Sequence, residues 1–221
     1  MTRSLSPNFM NQDTNTNKSP KNIKTSSMKL SFIVFLVFIT VVNHACGQYK
    51  IEREFRIKKN QFPPTAIGVL EKYVTNAKRL KFYKETDSIK KSYEVKFKKD
   101  KLWYSVEFDT VGTLEDVEII VQPTDIPQET FTKVKTYFKQ RFEKYRIKKI
   151  QQQYPAKASE SVETTLRNAF QNLLLPTLFY EIEVAGKIDK NYVEYEVLFD
   201  AQGNFKTSRE RLPPNYDHVL Y

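Results

Sequence analysis

The sequence predicts an α+β protein built from two tandem units, each a helix packed on an antiparallel β-sheet, with a helical insertion in the second. Three observations carry this expectation. From Ser92 to Val121 apolar and polar residues alternate: Tyr93, Val95 and Phe97 against Glu94, Lys96 and Lys98, then Leu102, Tyr104, Val106 and Phe108 against Trp103, Ser105 and Glu107. Such period-two alternation marks half-buried antiparallel strands. The run ends on Asp109-Thr110-Val111-Gly112, with Asp and Gly where a type I turn prefers them. Finally, Tyr195–Gly203 (YEVLFDAQG) repeats the spacing of Tyr104–Gly112 (YSVEFDTVG).

Residues 1–27 are polar and aperiodic, and translation is read as starting at Met28. A secretory signal peptide follows: Met28-Lys29, the apolar run Leu30–Val42, then Ala45-Cys46-Gly47. The run is too short to cross a bilayer, which takes about 20 residues. Small residues at Ala45 and Gly47 place cleavage after Gly47 and make Gln48 the first mature residue. The alternative is lipidation at Cys46, giving an anchored envelope lipoprotein; Asn43 stands where an aliphatic residue is usual for it. Removing residues 1–47 takes away five basic groups and one acid, which leaves 31 basic and 25 acidic groups and a net charge of +6. The single cysteine goes too, so the mature part has no thiol or disulfide chemistry.

The first unit, 48–123, opens with an alternating edge strand over Gln48–Lys58. Pro63-Pro64 breaks it and starts a helix with a stripe of Ala66, Leu70, Tyr73 and Ala77. A short strand at Arg79–Lys84, the central hairpin and a third strand at Thr113–Gln122 complete the unit, and Pro123 ends it. The second unit, 124–221, starts with Asp125 as cap and Gln128 three residues on, a capping-box pattern. Phe131, Val134, Phe138, Phe142 and Tyr145 trace the apolar face of its helix. A strand at Ile147–Tyr154 precedes the insertion 155–176, where Ser159 caps a helix with a stripe of Val162, Leu166, Ala169, Phe170 and Leu173. Strands near Leu178–Val184, Tyr192–Asp200 and Asn204–Arg211 close the chain.

Catalysis finds little support. His218 is the only histidine of the mature part and lies in a proline-flanked tail, no Gly-x-Ser-x-Gly turn presents a serine, and one His without Cys cannot supply a zinc ligand set. No cofactor or metal is expected. Glu115, Asp116 and Glu118 are the acid–base candidates; alternation puts Asp116 and Glu118 on one sheet face and Glu115 on the other, and a solvated face balanced by Lys96, Lys98 and Lys101 accounts for them. Asp109 and Asp200 are explained by their turns. Binding is better served: Trp103 sits in the polar register of its strand, and Tyr83 is out of register with Leu80 and Phe82. Both are candidate contact residues, unless the inserted helix or the other unit covers them. Basic–aromatic interleaving at Lys81–Lys84 and Lys139–Lys149 raises nucleic-acid binding. Export and a modest charge argue against it.

The proline-started helices at Pro63 and Pro127, the Tyr-x-Val strands, and Phe108-Asp109 with Gly112 beside Phe199-Asp200 with Gly203 resemble the PepSY-like, or β-lactamase-inhibitor-like (BLIP-like), family of exported bacterial proteins. The resemblance covers roughly residues 57–212. It implies tandem units of helix on antiparallel sheet and a role in binding rather than catalysis, the inhibitor that gives the family its label gripping an enzyme with the concave face of its sheets. The missing disulfide and the insertion depart from that pattern, so inhibition of a β-lactamase in particular is not expected. The expected protein is thus an exported, periplasmic or secreted, non-catalytic binding module for another envelope protein, hydrolase-inhibitor-like, with no membrane span in its mature part. The alternative is a periplasmic carboxylate-dependent enzyme or small-ligand carrier.

Overall fold

The computed structural model describes residues 48–50, 52–87 and 90–211. The signal-peptide residues through Gly47, including Met28 and Cys46, and the tail with His218 lie outside them. In chain order the elements are β1 (Gln48–Lys50), β2 (Glu52–Ile57), α1 (Pro64–Leu70), β3 (Lys78–Asp87), β4 (Lys90–Lys99), β5 (Leu102–Phe108), β6 (Leu114–Ile120), α2 (Gln128–Arg141), β7 (Lys144–Pro155), α3 (Val162–Phe170), β8 (Phe179–Ile188), β9 (Asn191–Asp200) and β10 (Phe205–Arg211).

All strands belong to one sheet. From β2 to β10 each strand pairs antiparallel with the next, and the register runs from β6 into β7 with Val117 opposite Tyr154. This corrects the expected pair of helix-on-sheet units. Two separate sheets would each leave an edge of unpaired N–H and C=O groups at β6 and β7, and these edges satisfy each other instead. The N-terminal segment then joins the two ends of the meander, since β1 pairs parallel with β10 while β2, one residue further on, pairs with β3. A segment this short reaches both end strands only if the sheet curls round on itself. Arg209 of β10 accordingly meets Asp87 of β3 at 2.9 Å.

The helices cover one face of the sheet. Val95, Phe97, Val106, Val117, Ile182 and Phe199 are buried there beneath Ala66, Leu70, Val134, Phe138, Leu166 and Ala169. The inserted helix α3 lies over β6 and β7, and its Phe170 stacks on Tyr73 and Tyr104, both at 4.8 Å between ring centroids. Among the described residues no helix is long and apolar enough to cross a membrane.

Local details shift from expectation. Helix α1 stops at Leu70, and Tyr73 and Val74 instead donate to the Leu70 carbonyl in a turn that leads to Asn76 at φ 62°. Asp125 caps no α-helix: its Oδ2 accepts from the Gln122 amide at 2.7 Å, closing a 3₁₀ turn, and α2 begins after Pro127. The cap of α3 is Ser161, whose Oγ accepts from the Thr164 amide, not Ser159.

The two repeated turns are built alike. Asp109 Oδ1 accepts from the amides of Val111 and Thr113, and Asp200 Oδ1 from those of Gln202 and Asn204. Gly112 and Gly203 follow at φ 89° and 80°, a region open to glycine. A helix threonine ties each turn down: Thr65 Oγ1 donates to the Val111 carbonyl and Thr130 Oγ1 to that of Ala201. At Asp200 burial works against the carboxylate, but the N–H groups of Asn204 and Gln202 and the Lys206 ammonium outweigh it and bring its pKa down to about 2.

Candidate functional site

The face of the sheet away from the helices is concave, and its side chains follow from the strand register. One row across the strands reads Tyr83, Glu94, Glu107, Asp116; the next Lys96, Ser105, Glu118, Gln153; the third Lys98, Trp103, Ile120, Gln151, Glu181. The polar register of every strand therefore turns inward. The cavity it lines has a volume of about 270 Å³ and gathers nine carboxylates against five cations. A chain of net positive charge thus encloses a concentration of negative charge.

Most of these carboxylates meet cations. The Lys96 ammonium lies 2.6 Å from Glu54 and 2.8 Å from Glu94, over the Tyr83 ring at 5.2 Å. Burial opposes that charge, but Glu94 and Glu54 together hold its pKa above the ordinary lysine value. Lys90 joins Glu107 to Glu115, Arg209 spans Glu196 and Asp87, and Lys149 and Arg211 both pair with Glu183. Oxygens of Glu54, Glu85 and Glu94 lie within 4.8 Å of one another, the one carboxylate group among the described residues spaced to hold a metal ion. Two of the three already share the Lys96 ammonium.

Asp116 and Glu118 differ. They line the cavity half-buried, and no ion pair reaches either among the described residues; Asp116 accepts from Gln153 Nε2 at 3.0 Å, and Glu118 accepts from Gln151 Nε2. Burial, then the charges of Glu107 and Glu181, push the Asp116 carboxyl well above its ordinary value, against Lys90 and the Gln153 amide. Burial, then Glu181, Asp116 and more weakly Glu94, do the same to Glu118, against Lys149. The expected solvated face is corrected here: the two carboxyls do share a face, as alternation predicts, but the sheet's curvature encloses it. The cations facing it include Lys96, whereas Lys98 stacks on Trp103. Glu115, expected on the opposite face, shares Lys90 with Glu107 where the β5–β6 register shifts.

The sign of the resulting pH dependence is fixed. An acid whose pKa is higher folded than unfolded binds more protons in the native state, so its contribution to stability is full at low pH and is lost as pH rises through the raised value. Removing both charges with Asp116→Asn and Glu118→Gln is expected to make the variant increasingly more stable than the wild type as pH climbs above the ordinary values of 3.8 and 4.5. Urea unfolding of both proteins across pH 5 to 9 checks this. A difference that stays flat or shrinks with pH contradicts it.

Trp103 and Tyr83 both fall on this concave face by register and are half-buried. Arg79 and Lys98 flank the indole at 5.5 and 5.8 Å. Gln48 opens β1, and Gly47 lies outside the described residues. Sequence reading missed Glu54, Glu85, Gln151, Gln153, Glu181 and Arg209 as members of one site. Alternation alone could place each on the polar face of its strand, and only the curl of the sheet brings them together.

No family model matches the chain, and no curated protein does. Among solved structures the chain is similar to a candidate periplasmic protein of Bacteroides eggerthii (13% identity, 67% of this chain and 88% of that one, TM-score 0.47). It is similar to a DUF2874 family protein of Bacteroides ovatus (12% identity, 72% and 94%, TM-score 0.48). It is also similar to a BLIP-like protein of Bacteroides fragilis (14% identity, 67% and 86%, TM-score 0.42).

Proposed function

We propose that the chain is an exported, non-catalytic binding module whose ligand surface is the concave face of its sheet, the partner being another component of the cell envelope. What supports this is the concentration of mostly acidic side chains lining the cavity of that face, with Trp103 and Tyr83 on the same face by register. Export rests on the signal-peptide pattern from Met28 to Gly47. Affinity capture from envelope extract with wild type and with Trp103→Ala tests it. The expected result is one specific partner, lost on substitution, while unfolding by urea changes by less than about 1 kcal/mol, as suits a half-buried surface side chain. A partner held equally well by Trp103→Ala contradicts the placement.

One observation favours a second reading. A carboxylate-dependent enzyme or small-ligand carrier calls for converging titratable groups of perturbed pKa in a concavity, and Asp116 and Glu118 have that character. Turnover of glycoside or ester substrates that disappears in Asp116→Asn, with the fold intact, would favour the enzyme.

A further inference from the structure

Resting on the reading of the concave face as the ligand surface, we propose that its centre recognises an organic primary ammonium, of the class of the aliphatic diamines, through the carboxylates of Asp116 and Glu118 and the amide oxygen of Gln151. Four observations converge on this chemistry. Gln151 is only 6% exposed and lines the cavity, yet among the described residues its Oε1 has no hydrogen-bond partner. A buried acceptor left in this state is unfavourable, and a ligand N–H would satisfy it. Among the described residues Asp116 and Glu118, on the strand next to Gln151, receive only amide N–H groups where other carboxylates of the cavity meet lysine or arginine. The protein already shows on itself how this face takes an ammonium: Lys96 sits between two carboxylates and over an aromatic ring.

The fourth observation concerns shape. A hard divalent ion draws six to eight oxygens to 2.3–2.6 Å. The carboxylates that converge closely enough are Glu54, Glu85 and Glu94, two of which hold Lys96. The cavity of about 270 Å³ is also far larger than an ion and has room for a short diamine. The acceptors stand in successive rows of the face, Asp116 in one, Glu118 in the next and Gln151 in the third, and a diamine brings N–H donors at both of its ends.

Calorimetric titration of the full chain with 1,5-diaminopentane, tetramethylammonium and Ca²⁺ tests the assignment. The expected result is saturable heat with the diamine and none with tetramethylammonium, which is cationic but has no N–H. Affinity for the diamine should fall at least tenfold in the doubly substituted Asp116→Asn, Glu118→Gln chain, and also in Gln151→Leu. The Asn and Gln replacements keep side-chain shape, and a cooperative urea transition for each variant shows that it is folded. No heat with the diamine, or equal heat with the folded double variant, overturns the assignment. If the diamine is silent while Ca²⁺ binds and the double substitution abolishes it, the ammonium is wrong and the concave face stands as the ligand surface. If both are silent and Trp103→Ala loses no partner, both readings fall.

Discussion

Gly203→Ala is expected to cost about 3 kcal/mol, near the upper end of what single substitutions usually do. Gly203 holds φ 80°, where an L side chain loses roughly 1–2 kcal/mol by its own sterics. The added Cβ would also stand 2.6 Å from the backbone carbonyl oxygen of Thr130 in α2. That oxygen belongs to the helix backbone and cannot rotate aside, so relief requires shifting the β9–β10 turn away from α2 and stretching the Thr130–Ala201 hydrogen bond. Gly68 provides the contrast. It lies within α1 with nothing near its Cβ position, and Gly68→Ala is expected to stabilise by about 0.5–1 kcal/mol through the lost conformational freedom of glycine. Urea unfolding followed by far-ultraviolet circular dichroism reads both; equal midpoints for the two variants would contradict the geometry.

Phe138→Ala is expected to cost about 3–5 kcal/mol, the range for removing a fully buried phenyl ring. Phe138 has no exposed surface and meets Phe199 edge-on at 5.6 Å and Tyr145 at 5.3 Å, so it joins α2 to β9 and β7. Those strands cannot collapse into the gap, because their register is fixed by neighbours on both sides. Phe205→Ala on the same cluster should cost far less. That ring is 43% exposed and stacks on Tyr137 near the surface. Similar losses for the two would mean that α2 is not anchored through Phe138.

Much of the architecture is legible because its signals are local. Alternation places the strands, and Asp and Gly at fixed spacing place the two turns. Val134, Phe138, Leu166 and Ala169 mark the faces of α2 and α3 that are buried. What the sequence hides is long-range. Nothing near Val117 or Tyr154 says that β6 and β7 will pair, and nothing near Gln48 says that a single segment will touch both β10 and β3. The site is hidden for the same reason. On a flat sheet Asp116, Glu118, Gln151 and Glu181 would stand in water as ordinary strand residues, and only closure encloses them. Cap positions fail by smaller margins. Ser159 and Ser161 carry the same chemistry two residues apart, and only Ser161 stands where its oxygen reaches the Thr164 amide.

The most direct measurement is the pH titration of the Asp116 and Glu118 carboxyl ¹³C resonances by nuclear magnetic resonance, with and without 1,5-diaminopentane. The enclosed concave site predicts that both carboxyls stay protonated well above 3.8 and 4.5 in the free chain. It also predicts that the diamine draws both titrations downward, as an opposite charge favours the ionised form. Ordinary titration of both groups, unmoved by the amine, would place them in open solvent and remove the centre of the concave face as a ligand site.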